Sequence, residues 1–194
     1  MAVTRLWWVR HAPTHERAFT GWRDVPADLS DAAALARLDA YLPQGAVLVS
    51  SDLIRAVATA DALASGRHRL PHDPALRELH FGDWDGRVWN DVAATDPDLS
   101  RAYWEDPGEH RPPNGESWNA AAARITAAAD ALVAAHRGRD LVIVAHFGAI
   151  LTQLQRARAC RAADVLAQPV DPLSVTRLDL GPDGWRVGVV NHRA

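Results

Sequence analysis

Residues 6–16 read LWWVRHAPTHE. Leu6, Trp7, Trp8 and Val9 suit a buried strand, yet the run ends on Arg10 and His11, and Pro13 blocks any regular continuation. A core rejects a guanidinium or an imidazole unless something pairs with it. The strand therefore either delivers these side chains to a pocket or stops where the core meets water. The same pattern recurs twice: AVLVS (46–50) runs into Ser51-Asp52, and LVIVA (141–145) runs into His146.

Working outward, buried strands are expected at 5–9, 46–50, 141–145 and 174–180. A fifth, 185–191, follows the turn GPDG as an edge hairpin. Helical patterns lie between them. SDAAALARLDAYL has Ser30 as its expected N-cap, and 51–65 has Ser51 as N-cap and Gly66 as its stop. A long Ala-rich helix starts at Ser117 and ends before Gly138, and GAILTQLQRARA follows the third buried strand directly. Strands alternating with helices predict an α/β three-layer sandwich: a mostly parallel central sheet, an antiparallel edge strand, and helices on both faces. At 194 residues one domain is expected over 1–194. The stretch 76–116, rich in Trp, Pro, Gly, Asp and His, reads as a loop-rich insertion over one end of the sheet, with a short helix near 88–95.

Composition limits the chemistry. A formal charge of −3 offers no general attraction to nucleic acid or an anionic membrane. All 21 basic residues are Arg, which excludes a Schiff-base or Walker-type lysine. Cys160 is alone, so no intramolecular disulfide forms, and no span has transmembrane length. The expectation is a cytoplasmic protein with no cofactor. His11 and His15 have a metal-like spacing, but Pro13 disfavours helix at Ala12 and no acidic or thiol ligand set accompanies them.

In open α/β sheets the ligand crevice lies beyond the carboxyl ends of the strands. Parallel neighbours would gather Arg10, His11, Ser51, Asp52 and His146 there. Arg55 falls in the first turn of the next helix, where the dipole disfavours a cation, so Asp52, Asp61 or a bound anion should compensate. The helix after His146 offers free backbone amides to an anion. Glu78, in LRELHFGDWDG, sits among Leu76, Leu79, Phe81 and Trp84, a setting suited to a proton donor. Asp83 and Asp85 read as an exposed turn between Gly82 and Gly86. Metal-free phosphoryl transfer needs cationic clamps, an in-line nucleophile and an acid for the leaving oxygen. Arg10, His11, Arg55, Glu78 and His146 make up that set.

The motifs resemble those of the histidine phosphatase superfamily, which includes the cofactor-dependent phosphoglycerate mutases. VRHAPT resembles R-H-G-[ED]-T, SSDLIRAVATA resembles S-x-L-x-R-A-x-x-T-A, and LRELHFGDWDG resembles L-x-E-x-x-F-G-x-W-E-G. PPNGESW and VIVAHFGAI are similar to two further blocks, in the same order along the chain. The resemblance implies a phosphoglycerate mutase-like fold, His11 as phosphorylated nucleophile, Arg10, Arg55 and His146 as phosphate ligands, and Glu78 as acid/base. It also implies pocket roles for Thr14, Gly21 and Trp22. Ala12 and Phe147 stand where the family often has Gly, which implies a turn that tolerates a Cβ and a narrowed pocket.

A phosphatase acting on a small phosphorylated metabolite is expected. The alternatives are phosphoglycerate mutase-type transfer and a non-catalytic phospho-ligand binder. Mutases resemble longer chains with a closing tail, which HRA after Asn191 does not provide, and a binder would be expected to lack the nucleophile or the acid. Among short members, the alpha-ribazole phosphatases carry similar motifs, and the tryptophans of 76–116 suit either packing or a ring-bearing substrate.

Overall fold

Period-two alternation sorts the strand side chains onto two faces. Leu6 and Trp8, Val47 and Val49, and Leu141, Ile143 and Ala145 enter one apolar core, while Val9, Leu48, Val142 and Val144 enter another. The computed structural model, which describes residues 2–194, joins these strands in one sheet. Its strands are β1 (Thr4–Arg10), β2 (Val47–Ser50), β3 (His68–Arg69), β4 (Asp140–Ala145), β5 (Val175–Gly181) and β6 (Gly184–Val187). Their order is β3-β2-β4-β1-β5-β6, with β3, β2, β4 and β1 parallel and β5 antiparallel to both β1 and β6.

Each face is covered by helices, which makes the sandwich. Helices α1 (Ala32–Tyr41) and α2 (Ile54–Ala62) place Leu38, Ala56 and Ala60 on one face. The insertion carries α3 (Trp89–Thr95) and α4 (Pro97–Glu105). The other face takes α5 (Trp118–Ala135), α6 (Phe147–Arg158) and α7 (Ala162–Leu166), through side chains such as Ile125, Leu151 and Val165. Burying one Leu, Ile or Val side chain here contributes about 1.5–3 kcal/mol. No helix among the described residues is long and apolar enough to cross a membrane.

Several boundaries differ from expectation. Asp31, not Ser30, caps α1 by accepting the Ala34 N–H. Helix α2 begins at Ile54, with Leu53 at its N-cap and no side-chain cap bond, so Ser51 is not a cap. Strand β6 ends at Val187, after which backbone bonds between Arg177 and both Gly188 and Val189, and a Val175–His192 bridge, continue the pairing less regularly. Strand β3, α4 and α7 were not anticipated. β3 is two residues long, and α4 begins at Pro97 one residue after α3's C-cap, so the local pattern of each is short. The tryptophans in and beside the insertion mostly pack: Trp84 and Trp118 are buried, and Phe19 brings its ring to Phe81, Trp84, Trp89 and Trp104. Trp89 alone among these five rings stays exposed.

Candidate active site

Register builds the floor of the site. Arg10 is paired with Ala145 and Ser50 with Val144, so the residues that follow, His11, His146 and Ser51, emerge side by side. The ladder runs one step further through bonds from His11 N–H to the Ala145 carbonyl (3.1 Å) and from Ser51 N–H to the Val144 carbonyl (3.2 Å). The two imidazoles lie 5.1 Å apart between centroids.

His11 is buried and its ring is oriented. A carbonyl can only accept, so the 2.7 Å contact between Nδ1 and the Ala12 carbonyl places the ring proton on Nδ1 and leaves Nε2 with a lone pair. Burial, followed by the charges of Arg55 and Arg10, lowers the His11 pKa to about 3, so the ring is neutral at ordinary pH. The turn after it is anchored by Thr59, whose hydroxyl accepts the Ala12 N–H at 2.9 Å and donates to the Arg55 carbonyl at 2.7 Å. Ala12 keeps a negative φ, so this turn has no need of glycine there.

The two arginines are held by main-chain carbonyls. Arg10 Nη1 donates to the Val170 carbonyl at 2.6 Å, and its guanidinium lies 5.5 Å from the Phe147 ring centre. Arg55 Nη2 and Nη1 donate to the carbonyls of Gly21 (2.6 Å) and Arg23 (3.0 Å). In each the Nε–H is buried without a partner among the described residues. Burial lowers both pKa values, and the charge of Glu78 is the leading influence in the opposite direction. Neither expected local partner serves Arg55, because Asp52 pairs with Arg77 and Asp61 with Arg69.

Glu78 occupies the amides that the sequence left free. Its Oε1 accepts the N–H groups of Leu79 (3.0 Å) and Ala149 (3.1 Å), and its Oε2 accepts that of Gly148 (3.1 Å). The carboxylate thus sits at the N-terminus of α6, where the helix dipole favours an anion. A Cβ at residue 148 would come within 2.6 Å of Oε1 and 2.1 Å of the Leu79 side chain, so glycine is what admits the carboxyl.

Longer-range donors fix the segment. Arg124 on α5 donates to the carbonyls of Ala75, Arg77 and Glu78 and pairs with Glu116, whose carboxylate also accepts the His80 N–H. The Trp22 indole donates to the Glu78 carbonyl at 2.8 Å, with the Arg77 guanidinium 4.9 Å from its ring.

The geometry therefore brings Arg10, His11, Arg55, Glu78 and His146 together. Gly21 and Trp22 meet the site by supporting Arg55 and Glu78, Phe147 meets it through Arg10, and Thr14 is half-buried in the loop after His11. His15 turns away to Asp28, at 2.8 Å, and shares no ligand position with His11. Asp83 is exposed, as expected. Asp85 is not part of an idle turn: it accepts the N–H groups of Gly21 and Arg23, shaping the loop whose carbonyls hold Arg55. Sequence reading missed the roles of Ser51, Thr59, Asp85, Glu116 and Arg124. Glu116 and Thr59 stand inside recognisable motifs, whereas Arg124 is one cation in an Ala-rich helix and carries no local signal.

This fold, with two neutral histidines at the ends of parallel strands between the buried Arg55 and the half-buried Arg10, defines a phosphoryl-transfer class of protein. The family model of the histidine phosphatase superfamily (branch 1) matches residues 6–193, and the chain belongs to that superfamily. It is 37% identical over 186 residues to a glucosyl-3-phosphoglycerate phosphatase of Mycolicibacterium vanbaalenii, covering 88% of this chain and 78% of that protein. It is 29% identical over 197 residues to the adenosylcobalamin/alpha-ribazole phosphatase of Salmonella typhimurium, covering 98% and 97%. The solved structure of Bacillus stearothermophilus YhfR superposes with a TM-score of 0.89 at 26% identity, covering 98% of each chain.

Proposed function

We propose that this chain hydrolyses small phosphomonoesters through a phosphohistidine formed on Nε2 of His11, with residues 1–194 acting as one catalytic domain. The observation that carries the reading is the bond from His11 Nδ1 to the Ala12 carbonyl. It commits the ring's one proton and aims a neutral nitrogen lone pair into the cationic pocket.

In the first step the Nε2 lone pair attacks phosphorus as the ester P–O bond breaks. Arg10 and Arg55 hold the equatorial oxygens, with their unpartnered Nε–H groups as the donors left over for an anion. The leaving oxygen takes a proton from Glu78. Oε1 already accepts two N–H groups and Oε2 one, so Oε2 is the freer oxygen. Two adjacent anions are disfavoured once a phosphate dianion binds beside the carboxylate, so the proton is taken up at Oε2 as substrate binds and then passes to the leaving oxygen. In the second step Oε2 takes a proton from water, the water oxygen attacks phosphorus, and the P–N bond returns its electrons to Nε2. Thr14 lends a hydroxyl to the pocket, while Phe147, stacked on Arg10, narrows it on that side.

The names of the relatives suggest a metabolite of the alpha-ribazole phosphate or glucosyl-3-phosphoglycerate kind. Recognition through one phosphate leaves nucleic acid and membrane outside the reading, and the lone Cys160 suits a cytoplasmic setting. A panel of phosphomonoesters including both compounds and 3-phosphoglycerate, combined with rapid quench of a phosphate-labelled substrate, tests the proposal. Hydrolysis with an acid-labile, base-stable label on the parent and none on His11→Ala is expected, with EDTA inert. Turnover without a labelled intermediate, or inhibition by EDTA, would overturn it.

A further inference from the structure

Ser51 follows the last residue of β2, beside His146, and is fully buried. Its hydroxyl lies 2.6 Å from His146 Nε2. A buried hydroxyl proton needs an acceptor, and Nε2 is the one acceptor this hydroxyl meets. If Nε2 carried the ring proton instead, both hydrogens would compete for one short contact, and the serine O–H would be left unsatisfied in the interior. Ser51 therefore donates, Nε2 accepts, and the ring proton of His146 resides on Nδ1.

The other side of the ring completes the argument. Nδ1 of His146 is buried and has no partner among the described residues, although the ring stands 5.1 Å from that of His11. Burial, then the nearness of the His11 ring and the charge of Arg55, lower the His146 pKa well below its ordinary value, so the ring is neutral and has a single N–H to place. A neutral histidine presenting a bare nitrogen to a phosphate dianion would repel it. One presenting N–H would bind it.

We propose that Ser51 is a positioning residue that sets the tautomer of His146, turning its Nδ1–H toward the non-bridging oxygens of the phosphoryl group. This rests on the phosphatase reading above. His11 and His146 then form a complementary pair. A carbonyl acceptor places the His11 proton on Nδ1 and frees Nε2 to attack, while a hydroxyl donor places the His146 proton on Nδ1 and makes that atom the donor. Neutral rings are sorted into nucleophile and ligand by the hydrogen bond each makes to its support.

The test begins with the parent protein, labelled with 15N in its histidines, without ligand and then with inorganic phosphate. Ring 15N shifts should show His146 protonated at Nδ1 and bare at Nε2, with the Nδ1 signal moving when phosphate binds. Protonation at Nε2 in an active parent would overturn the inference and leave the phosphatase reading intact. Absence of turnover on every phosphomonoester would instead sink the phosphatase reading, with the tautomer result unaffected. Ser51→Ala should then lower kcat about 10- to 100-fold, shift His146 toward a mixture of tautomers, and leave the thermal midpoint close to the parent's. Ser51→Thr, which keeps the hydroxyl, should restore both the tautomer and most of the rate. A Ser51→Ala protein that is folded and turns over at the parental rate would also overturn the inference.

Discussion

The sheet edge and the insertion bring groups to the same pocket by different physical means. At the edge, a ladder of backbone bonds sets the spacing, because pairing Arg10 with Ala145 leaves His11 and His146 no choice but to emerge as neighbours. Glu78 has no ladder. It rides on an irregular segment and is fixed by a guanidinium from α5, an indole from the loop at Trp22 and two amides from α6. Edge residues inherit their position from a cooperative sheet, whereas Glu78 depends on donors from three distant parts of the chain. Substitutions around Glu78 should therefore degrade the chemistry in graded steps, while those at the edge should act only when they touch a catalytic side chain or, as at Ser51, the bond that orients one.

The largest effect belongs to the edge. His11→Ala removes the nucleophile and should reduce turnover at least about 10⁴-fold, measured as phosphate release against a chain whose circular dichroism is unchanged. Next comes Glu78→Gln, which should slow phosphorylation of His11 about 10²–10⁴-fold with an alkyl phosphate and far less with p-nitrophenyl phosphate, whose leaving oxygen needs no proton. Rapid quench reads this as the rate at which the label appears on the protein. Equal losses in that step would mean that Glu78 positions groups and does not protonate the leaving oxygen. Gly148→Ala sharpens the comparison, since the new methyl displaces the carboxyl and leaves the sheet register untouched. A loss of about 10- to 100-fold with the same dependence on leaving group is expected. Parental rates would show that Glu78 reaches the pocket without its seat on α6.

What could be read from the chain alone follows the same division. Strands β1, β2 and β4 announce themselves by short apolar runs ending on polar residues, and their parallel pairing follows from the helices between them, so the gathering of Arg10, His11 and His146 at the edge was legible. The insertion was not. Its position showed in composition, but α4 follows α3 with only Asp96 between them, and Arg124 and Asp85 act across long sequence separations that no local pattern encodes. Ser51 failed in a different way. Its type and place before a helix fit an N-cap, and only the register of β2 against β4 shows that its hydroxyl faces an imidazole instead. The amides of α6 were rightly seen as an anion seat, but the anion is the protein's own Glu78.

Trp22→Phe gives a smaller and more discriminating effect. The ring and its stacking on Arg77 survive, but the indole donor to the Glu78 carbonyl is lost. Arg124 still binds the same carbonyl at 3.1 Å. A loss of about two- to fivefold in kcat is expected for one neutral hydrogen bond with a surviving partner, concentrated again in substrates with poor leaving groups.

The smallest effect on rate, and the cleanest check of the edge, is the response to pH. His11 and His146 are held neutral by burial, the His11 pKa lying near 3 and that of His146 well below its ordinary value. In the unfolded chain both return to about 6.5. Below that value the unfolded state takes up protons that the fold refuses, so stability is fully present above about pH 6.5 and falls as pH is lowered toward 3. Between pH 7 and 5 the slope should approach one proton for each of these histidines, read from urea unfolding at a series of pH values. Over the same interval kcat should show no acid limb from the nucleophile, because the folded ring stays neutral throughout. An acid limb with a midpoint near 6.5 that vanishes in a His11 variant would mean that the ring is open to solvent and that the buried, carbonyl-pinned geometry of the edge is wrong.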